Sequence, residues 1–200
     1  NLFPVFIKLE ELRLLIIGGG HIGLEKLTAV LSNSPATKIR LVADTINKEI
    51  RELVKGNDKI TLIERRYCEE DLQDVDLVIA AVGNIELSER IRKDAKIRGL
   101  LLNAADKPAL CDFYLGSIVQ KGDLKIAIST NGKSPTMAKR IKETLNDVFP
   151  NETQEVLENL YQIRENLRGD FEHKVKTLNH ITKELTLPKK VPSAYKRIKT

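Results

Sequence analysis

Apolar residues in this chain fall in short unbroken runs that alternate with stretches where they recur every three or four positions. Leu12 to Ile17 is the first run; Gly18-Gly19-Gly20-His21-Ile22-Gly23 follows it, and Leu24, Leu27, Val30 and Leu31 come next at helical spacing. That order predicts strand, tight turn and helix. Ile39 to Ala43 is a second run, entered from a loop with Asn33, Ser34 and Pro35 and followed by a polar helix carrying Ile50, Leu53 and Val54. The pattern repeats with Ile60 to Ile63, Val75 to Val82, a charged helix from about Ile85 to Arg98, and Leu100 to Leu102. Runs that do not alternate apolar with polar belong to strands buried on both faces, so the expected fold is α/β, a Rossmann-like doubly wound parallel sheet.

Near residue 112 the pattern changes. Phe113 to Val119 and Leu124 to Ser129 predict two strands joined by Lys121-Gly122-Asp123, which is a hairpin instead of a crossover. Ser134 is placed to cap a helix whose first turn holds Pro135; Met137, Ile141, Leu145 and Val148 share one face of it, as core or as a dimer seam, until Pro150 ends it. From about Glu152 to Leu185 the spacing fits two amphipathic helices broken at Gly169-Asp170, and Leu187-Pro188 opens a basic tail. The expected organisation is therefore a dinucleotide-binding domain over 1–112, a small strand-helix dimerisation segment over 113–149, and a C-terminal helical part with that tail over 150–200.

Composition narrows the function classes. The 200 residues are 42% hydrophobic and 30% charged, enough apolar side chain for a folded core. Apolar runs stop well short of the roughly 20 residues that cross a bilayer, and no charged-then-apolar leader opens the chain, so no membrane role and a cytoplasmic location are expected. Cys68 and Cys111 stand apart, without disulfide or zinc spacing, as reduced core or loop thiols. The net charge of +5 is spread among acids, and 4% aromatic residues offer bases little to stack on, so nucleic acid is not an expected partner. No metal site is expected: His173 and His180 could share a helix face but have no third ligand beside them.

The glycine turn carries the first piece of chemistry. In Gly18-x-Gly20-x-x-Gly23 the first glycine makes the turn, the second lets the backbone approach a pyrophosphate, and the third lets helix and strand pack closely. Backbone N–H groups at the helix start, those of His21 and Ile22 among them, are then available to the phosphates. Asp44 ends the second strand 26 positions after Gly18 and is the candidate acceptor for the adenosine ribose hydroxyls, which favours NAD over NADP; with Thr45 beside it, capping the next helix is the competing role. Ala81, Val82 and Gly83, at the carboxyl end of the fourth strand, are expected beneath the nicotinamide ribose.

Read together, Leu2-Phe3-Pro4-Val5-Phe6, Gly18-Gly19-Gly20, Glu25-Lys26, Asn103-Ala104-Ala105-Asp106 and Ser129-Thr130-Asn131-Gly132-Lys133-Ser134-Pro135 resemble, in order and spacing, the precorrin-2 dehydrogenase/sirohydrochlorin ferrochelatase family over residues 2–150. The resemblance implies NAD-dependent oxidation of precorrin-2 to sirohydrochlorin, a homodimer, and a tetrapyrrole bound in a cleft between the parts. Metal insertion, with Fe²⁺ as substrate, is implied for some members only and stays open here. Asp106 matches the aspartate to which the family's chemistry is attributed, and Thr130 stands where some members carry a serine proposed as regulatory. Since no methyltransferase-length segment follows residue 200, methylation is expected from a separate enzyme.

A carboxylate at a strand's carboxyl end beside the cofactor suits proton removal from the macrocycle, while a plain turn cap before Lys107-Pro108 is the alternative for Asp106. Asn103 either orients substrate or pairs with backbone. A substrate rich in carboxylates calls for cations and helix N-termini; Lys107 and the Thr130-Asn131-Gly132-Lys133-Ser134 turn are the candidates, against ordinary solvated charges. A dinucleotide-sensing module without turnover accounts for residues 1–103 equally well, but leaves Asp106 and the 129–135 segment without a role.

Overall fold

The computed structural model describes residues 2–183. They divide into two compact units: the first holds the residues up to Gly116 together with Thr130–Ser134, and the second holds Ser117–Ser129 and the chain from Pro135 onward.

The first unit runs β1 (Arg13–Ile17), α1 (His21–Asn33), β2 (Lys38–Ala43), α2 (Lys48–Leu53), β3 (Ile60–Glu64), β4 (Leu77–Ala80), α3 (Ile85–Ile97) and β5 (Leu101–Ala104). All five strands are parallel in the order β3-β2-β1-β4-β5. Ile16 at the centre of β1 stands opposite Leu41 on one side and Ile79 on the other. Successive side chains point to opposite faces, and both faces are covered. Leu14, Ile16, Leu41 and Ile79 pack with Leu27 of α1 and Ile50 of α2; Leu15, Ile17, Val42 and Val78 pack with Ile91 and Ala95 of α3. This is the doubly wound α/β fold, and the chain reverses its direction of strand addition between β1 and β4.

Two strands differ from expectation. Of Val75 to Val82 only Leu77–Ala80 forms ladder; Asp76 is drawn to the Arg13 end of β1, while Ala81 and Val82 leave the sheet to form a loop. Phe113 to Gly116 is irregular, and the strand begins at Ser117. The cause lies just before it. The N–H of Asp112 donates to Leu102 O at 2.7 Å, its carboxylate accepts the N–H of Leu102 at 2.9 Å and pairs with Arg92, and Phe113 packs onto the α1/α2 core cluster. Arg92 and the Leu102 N–H hold the Asp112 carboxyl below the usual range.

The second unit contains an antiparallel hairpin, β6 (Ser117–Lys121) and β7 (Leu124–Ile128), then α4 (Pro135–Val148), α5 (Thr153–Asn166) and α6 (Phe171–Thr182). Gly122 turns the hairpin with φ +60°, and Gln154 of α5 holds the turn: its Oε1 accepts the Asp123 N–H at 2.7 Å and its Nε2 donates to the Asp123 carboxylate at 2.9 Å. Gly169, at φ +110°, breaks the chain between the last two helices, and Asp170 caps α6 by accepting the His173 N–H at 2.8 Å. Of the α4 stripe, Met137, Ile141 and Val148 are exposed within the chain, so it is not core. The basic tail expected from Leu187 lies outside the described residues.

Candidate functional site

The carboxyl edge of β1, β4 and β5 gathers most of the residues singled out above. Ligands of open α/β sheets bind there, where strand order reverses. The three glycines of the β1–α1 turn have separable reasons to be glycine. Gly18 has φ +122°, and a Cβ on it would collide with the Ala81 carbonyl. Gly23 lies one helical turn into α1, where a Cβ would collide with Gly18 O. Gly20, the N-cap of α1, has an ordinary extended φ of −88° and nothing within 4 Å of a Cβ position. Two are thus demanded by the protein's own backbone, and the middle one borders open space in front of a helix N-terminus. That combination fits a dinucleotide pyrophosphate, with the N–H groups of His21 and Ile22 at the start of the helix.

Gly19 was not singled out by the motif, yet a Cβ there would collide with Thr45 O. Gly19 O in turn accepts the Asn47 N–H at 2.9 Å, so the glycine turn and the segment after β2 are fastened together. Asp44 and Thr45 ride on that segment, both exposed. The Asp44 carboxylate has no hydrogen bond or ion pair with any described residue; α2 starts after Asn47, which occupies the N-cap position without a side-chain cap hydrogen bond, so Asp44 does not cap it.

Beyond β4, Ala81 donates its N–H to Ile17 O at 2.7 Å, and Gly83 is exposed ahead of α3, whose N-cap Asn84 accepts the Leu87 N–H at 2.8 Å. Lys107 reaches across to this loop: its Nζ donates to Val82 O at 2.8 Å. The ammonium therefore ties the turn after β5 to the loop after β4.

The turn after β5 holds Asp106. Ala105 donates to Ala80 O at 2.9 Å, Lys107 donates back to Ala104 O at 3.2 Å, and Asp106 between them has φ +59°. A left-handed backbone at a residue other than glycine costs about 1 kcal/mol or more and is held only by surroundings that over-determine it. Here they do. Cys111 Sγ lies against the same turn, within 3.2 Å of Ala104 N, 3.1 Å of Ala104 O and 3.4 Å of Lys107 O, and burial pushes its thiol pKa up. The Asp106 side chain is exposed and bonds to no described residue, so the turn closes without its help. Asn103 is 7% exposed and its Nδ2 donates to Phe113 O at 2.9 Å, which is the backbone-pairing role and places no amide at the surface for substrate.

Thr130 to Ser134 belongs to this unit as well. Asn131 and Gly132 have φ +52° and +76°, Lys133 donates its N–H to Thr130 O at 3.0 Å, and the Ser134 N–H donates to Thr130 Oγ1 at 3.1 Å. A Cβ on Gly132 would come within 3.5 Å of the Tyr114 ring. Lys133 is exposed, and the Thr130 hydroxyl is engaged in shaping the turn. Among the described residues no three His, Cys, Asp or Glu side chains gather as a metal site, and no helix is long and apolar enough to cross a membrane.

Comparison with known proteins adds a second line. A family model described as NAD(P)-binding matches residues 5–117, more than half of the chain, and one described as the central part of a sirohaem biosynthesis protein matches residues 121–147. The chain belongs to the NAD(P)-binding family of sirohaem biosynthesis proteins. Within it, the chain is 34% identical over 178 residues to the siroheme synthase of Psychrobacter cryohalolentis, covering 89% of this chain and 33% of that one. It is 38% identical over 147 residues to the siroheme synthase of Ectopseudomonas mendocina, covering 74% and 31%. It thus spans about a third of the length of the curated relatives it matches. Among solved structures it is similar to SirC, a precorrin-2 dehydrogenase, with a TM-score of 0.73 and 26% identity over 93% of this chain and 94% of the other.

Proposed function

We propose that this chain binds NAD at the carboxyl edge of its parallel sheet and dehydrogenates precorrin-2 to sirohydrochlorin, with Asp106 as the proton acceptor. The observation that carries this is an exposed carboxylate with no partner among the described residues, held on a left-handed backbone one strand beyond the β1–β4 switch point. Bound NAD supplies the hydride acceptor. The chain's own residues do the rest. Backbone N–H groups of the Gly18–Gly23 turn hold the pyrophosphate, Asp44 accepts the adenosine ribose hydroxyls, and Ala81, Val82 and Gly83 support the nicotinamide ribose. When hydride leaves the macrocycle as two electrons with one proton, the second proton goes to the Asp106 carboxylate and from there to water. A carboxylate at Asp44 favours NAD over NADP by repelling a 2′-phosphate.

The Lys133 ammonium and the backbone N–H of Gly132, in a turn held by the Lys133 and Ser134 N–H bonds to Thr130, are the groups we assign to the substrate's carboxylates. Residues 113–149 are read as the dimerisation segment of a homodimer that works in the cytoplasm, between the dinucleotide-binding residues 1–112 and the helical part from 150 onward; nucleic acid has no part in this reading. The same carboxylate is chemically suited to taking pyrrolic protons as Fe²⁺ enters sirohydrochlorin, so ferrochelation is a separate assay on the same variants.

The test is anaerobic NADH formation from enzymatically made precorrin-2 and NAD. Wild type should turn over, and Asp106→Asn should lose about two to four orders of magnitude in kcat while keeping its NAD affinity. Unchanged turnover in the variant removes Asp106 from the chemistry. Binding of NAD by wild type without turnover would favour the sensing module instead.

A further inference from the structure

Glu64 ends β3 at the same sheet edge, opposite Ala43 in the β2–β3 register. Its two carboxylate oxygens do different things. Oε1 accepts the backbone N–H of Ile46 at 3.0 Å, in the segment that carries Asp44 and Thr45. Oε2 pairs with Nη2 of Arg51, on α2, at 2.7 Å. The Ile46 N–H and then Arg51 draw the Glu64 carboxyl below its usual range, so it is ionised at neutral pH.

The Asp44–Asn47 segment is held at three points: the Ile46 side chain is buried, its N–H is on Glu64, and the Asn47 N–H is on Gly19. Asp44 projects from it with no partner among the described residues. Arg51 stands on the helix that follows, close enough in the chain for its N–H to donate to Asn47 O at 3.4 Å. A guanidinium near the end of β2 is the group that accommodates a 2′-phosphate in NADP-binding members of this fold, whereas a carboxylate there accepts ribose hydroxyls. The sequence offers both, and Glu64 engages one of them.

We propose that Glu64 is a specificity-determining residue: it fixes the Asp44 segment for the ribose of NAD while keeping the Arg51 guanidinium occupied, so that Arg51 does not serve a 2′-phosphate. This rests on the reading above that the adenosine ribose meets Asp44.

Glu64→Gln separates the two duties, because its amide oxygen still accepts the Ile46 N–H while the charge that holds Arg51 is gone. The residue is 46% exposed and the substitution isosteric, so the fold is retained. Titration calorimetry of the purified chain with NAD and with NADP is the measurement. Glu64→Gln should leave NAD affinity within about twofold and raise NADP affinity about tenfold, a charge-assisted pair gained. Adding Arg51→Met should remove the NADP gain. Lys48, exposed on the same helix, is common to all variants and cancels. Unaltered NADP affinity in Glu64→Gln, equal loss for both nucleotides, or a gain that survives Arg51→Met would overturn the proposal. Asp44→Asn tests the parent reading separately: if it relaxes the preference while Glu64→Gln does not, only the role of Glu64 falls; if it changes nothing, the ribose assignment falls with it.

Discussion

Single positions in the glycine turn make opposite predictions although they belong to one motif. Gly18→Ala meets both a positive φ and the Ala81 carbonyl, and should cost about 3 kcal/mol or more in urea denaturation. Gly20→Ala meets neither; its stability should stay within about 0.5 kcal/mol of wild type, while NAD affinity by calorimetry falls about tenfold or more as the methyl enters the phosphate space. The motif assigns the first and third glycines to the turn and to helix–strand packing and only the second to the ligand, and the structure supplies the steric reason for each. At Asp106 the backbone restricts which substitution is informative. Asparagine tolerates the left-handed region nearly as aspartate does and keeps the side-chain shape, whereas alanine adds backbone strain to the loss of the carboxylate. An Asp106→Ala variant should therefore melt lower than Asp106→Asn at equal loss of turnover.

Elements meet at the opposite, amino end of the sheet through Arg13 and Asp76. The Asp76 carboxylate accepts the Arg13 N–H at 2.8 Å and its Nε at 2.9 Å, and these bonds hold its pKa at about 2. A carboxylate depressed in the folded state stabilises it fully above the unfolded value of about 3.9, and that contribution disappears as pH falls toward 2. Melting temperatures of wild type and Asp76→Asn should accordingly differ at pH 6 and converge between pH 4 and pH 2. The pair also explains where sequence reading failed at this scale. A continuous apolar run such as Val75 to Val82 marks a buried strand, but its ends are set by Asp76 reaching to β1 and by Ala81 and Val82 turning out to the ligand edge. Likewise the start of β6 slipped to Ser117 because Asp112 is anchored to β5, a partnership ten residues away that no local pattern encodes. The order of strands and helices and the glycine turn were legible because each depends on local periodicity or spacing, whereas Asp106 was singled out by the family resemblance and its role is a proposal. The contacts of Glu64 and Gly19 were not, and the sequence could not choose between the two roles open to Asn103, because these depend on which distant backbone atom lies opposite.

For the molecule as a whole, the proposed dimerisation segment makes a prediction at the exposed face of α4. Met137 is 55% exposed and Val148 62%, with Ile141 between them on the same side of the helix. In analytical ultracentrifugation the wild-type chain should sediment as a dimer and Ile141→Asp as a monomer; a wild type that stays monomeric at high concentration would leave that face to another partner. The partition of the chain matters for how the protein can be dissected. The polypeptide leaves the first unit after Gly116, returns for Thr130–Ser134 and leaves again at Pro135, so it passes from one unit to the other at three places. A protease nicking any one of these passages releases neither unit, and a gene fragment ending at Gly116 lacks a piece of the body it was meant to isolate. Cutting this protein into independent parts requires either keeping residues through Ser134 or grafting that five-residue turn back by a linker.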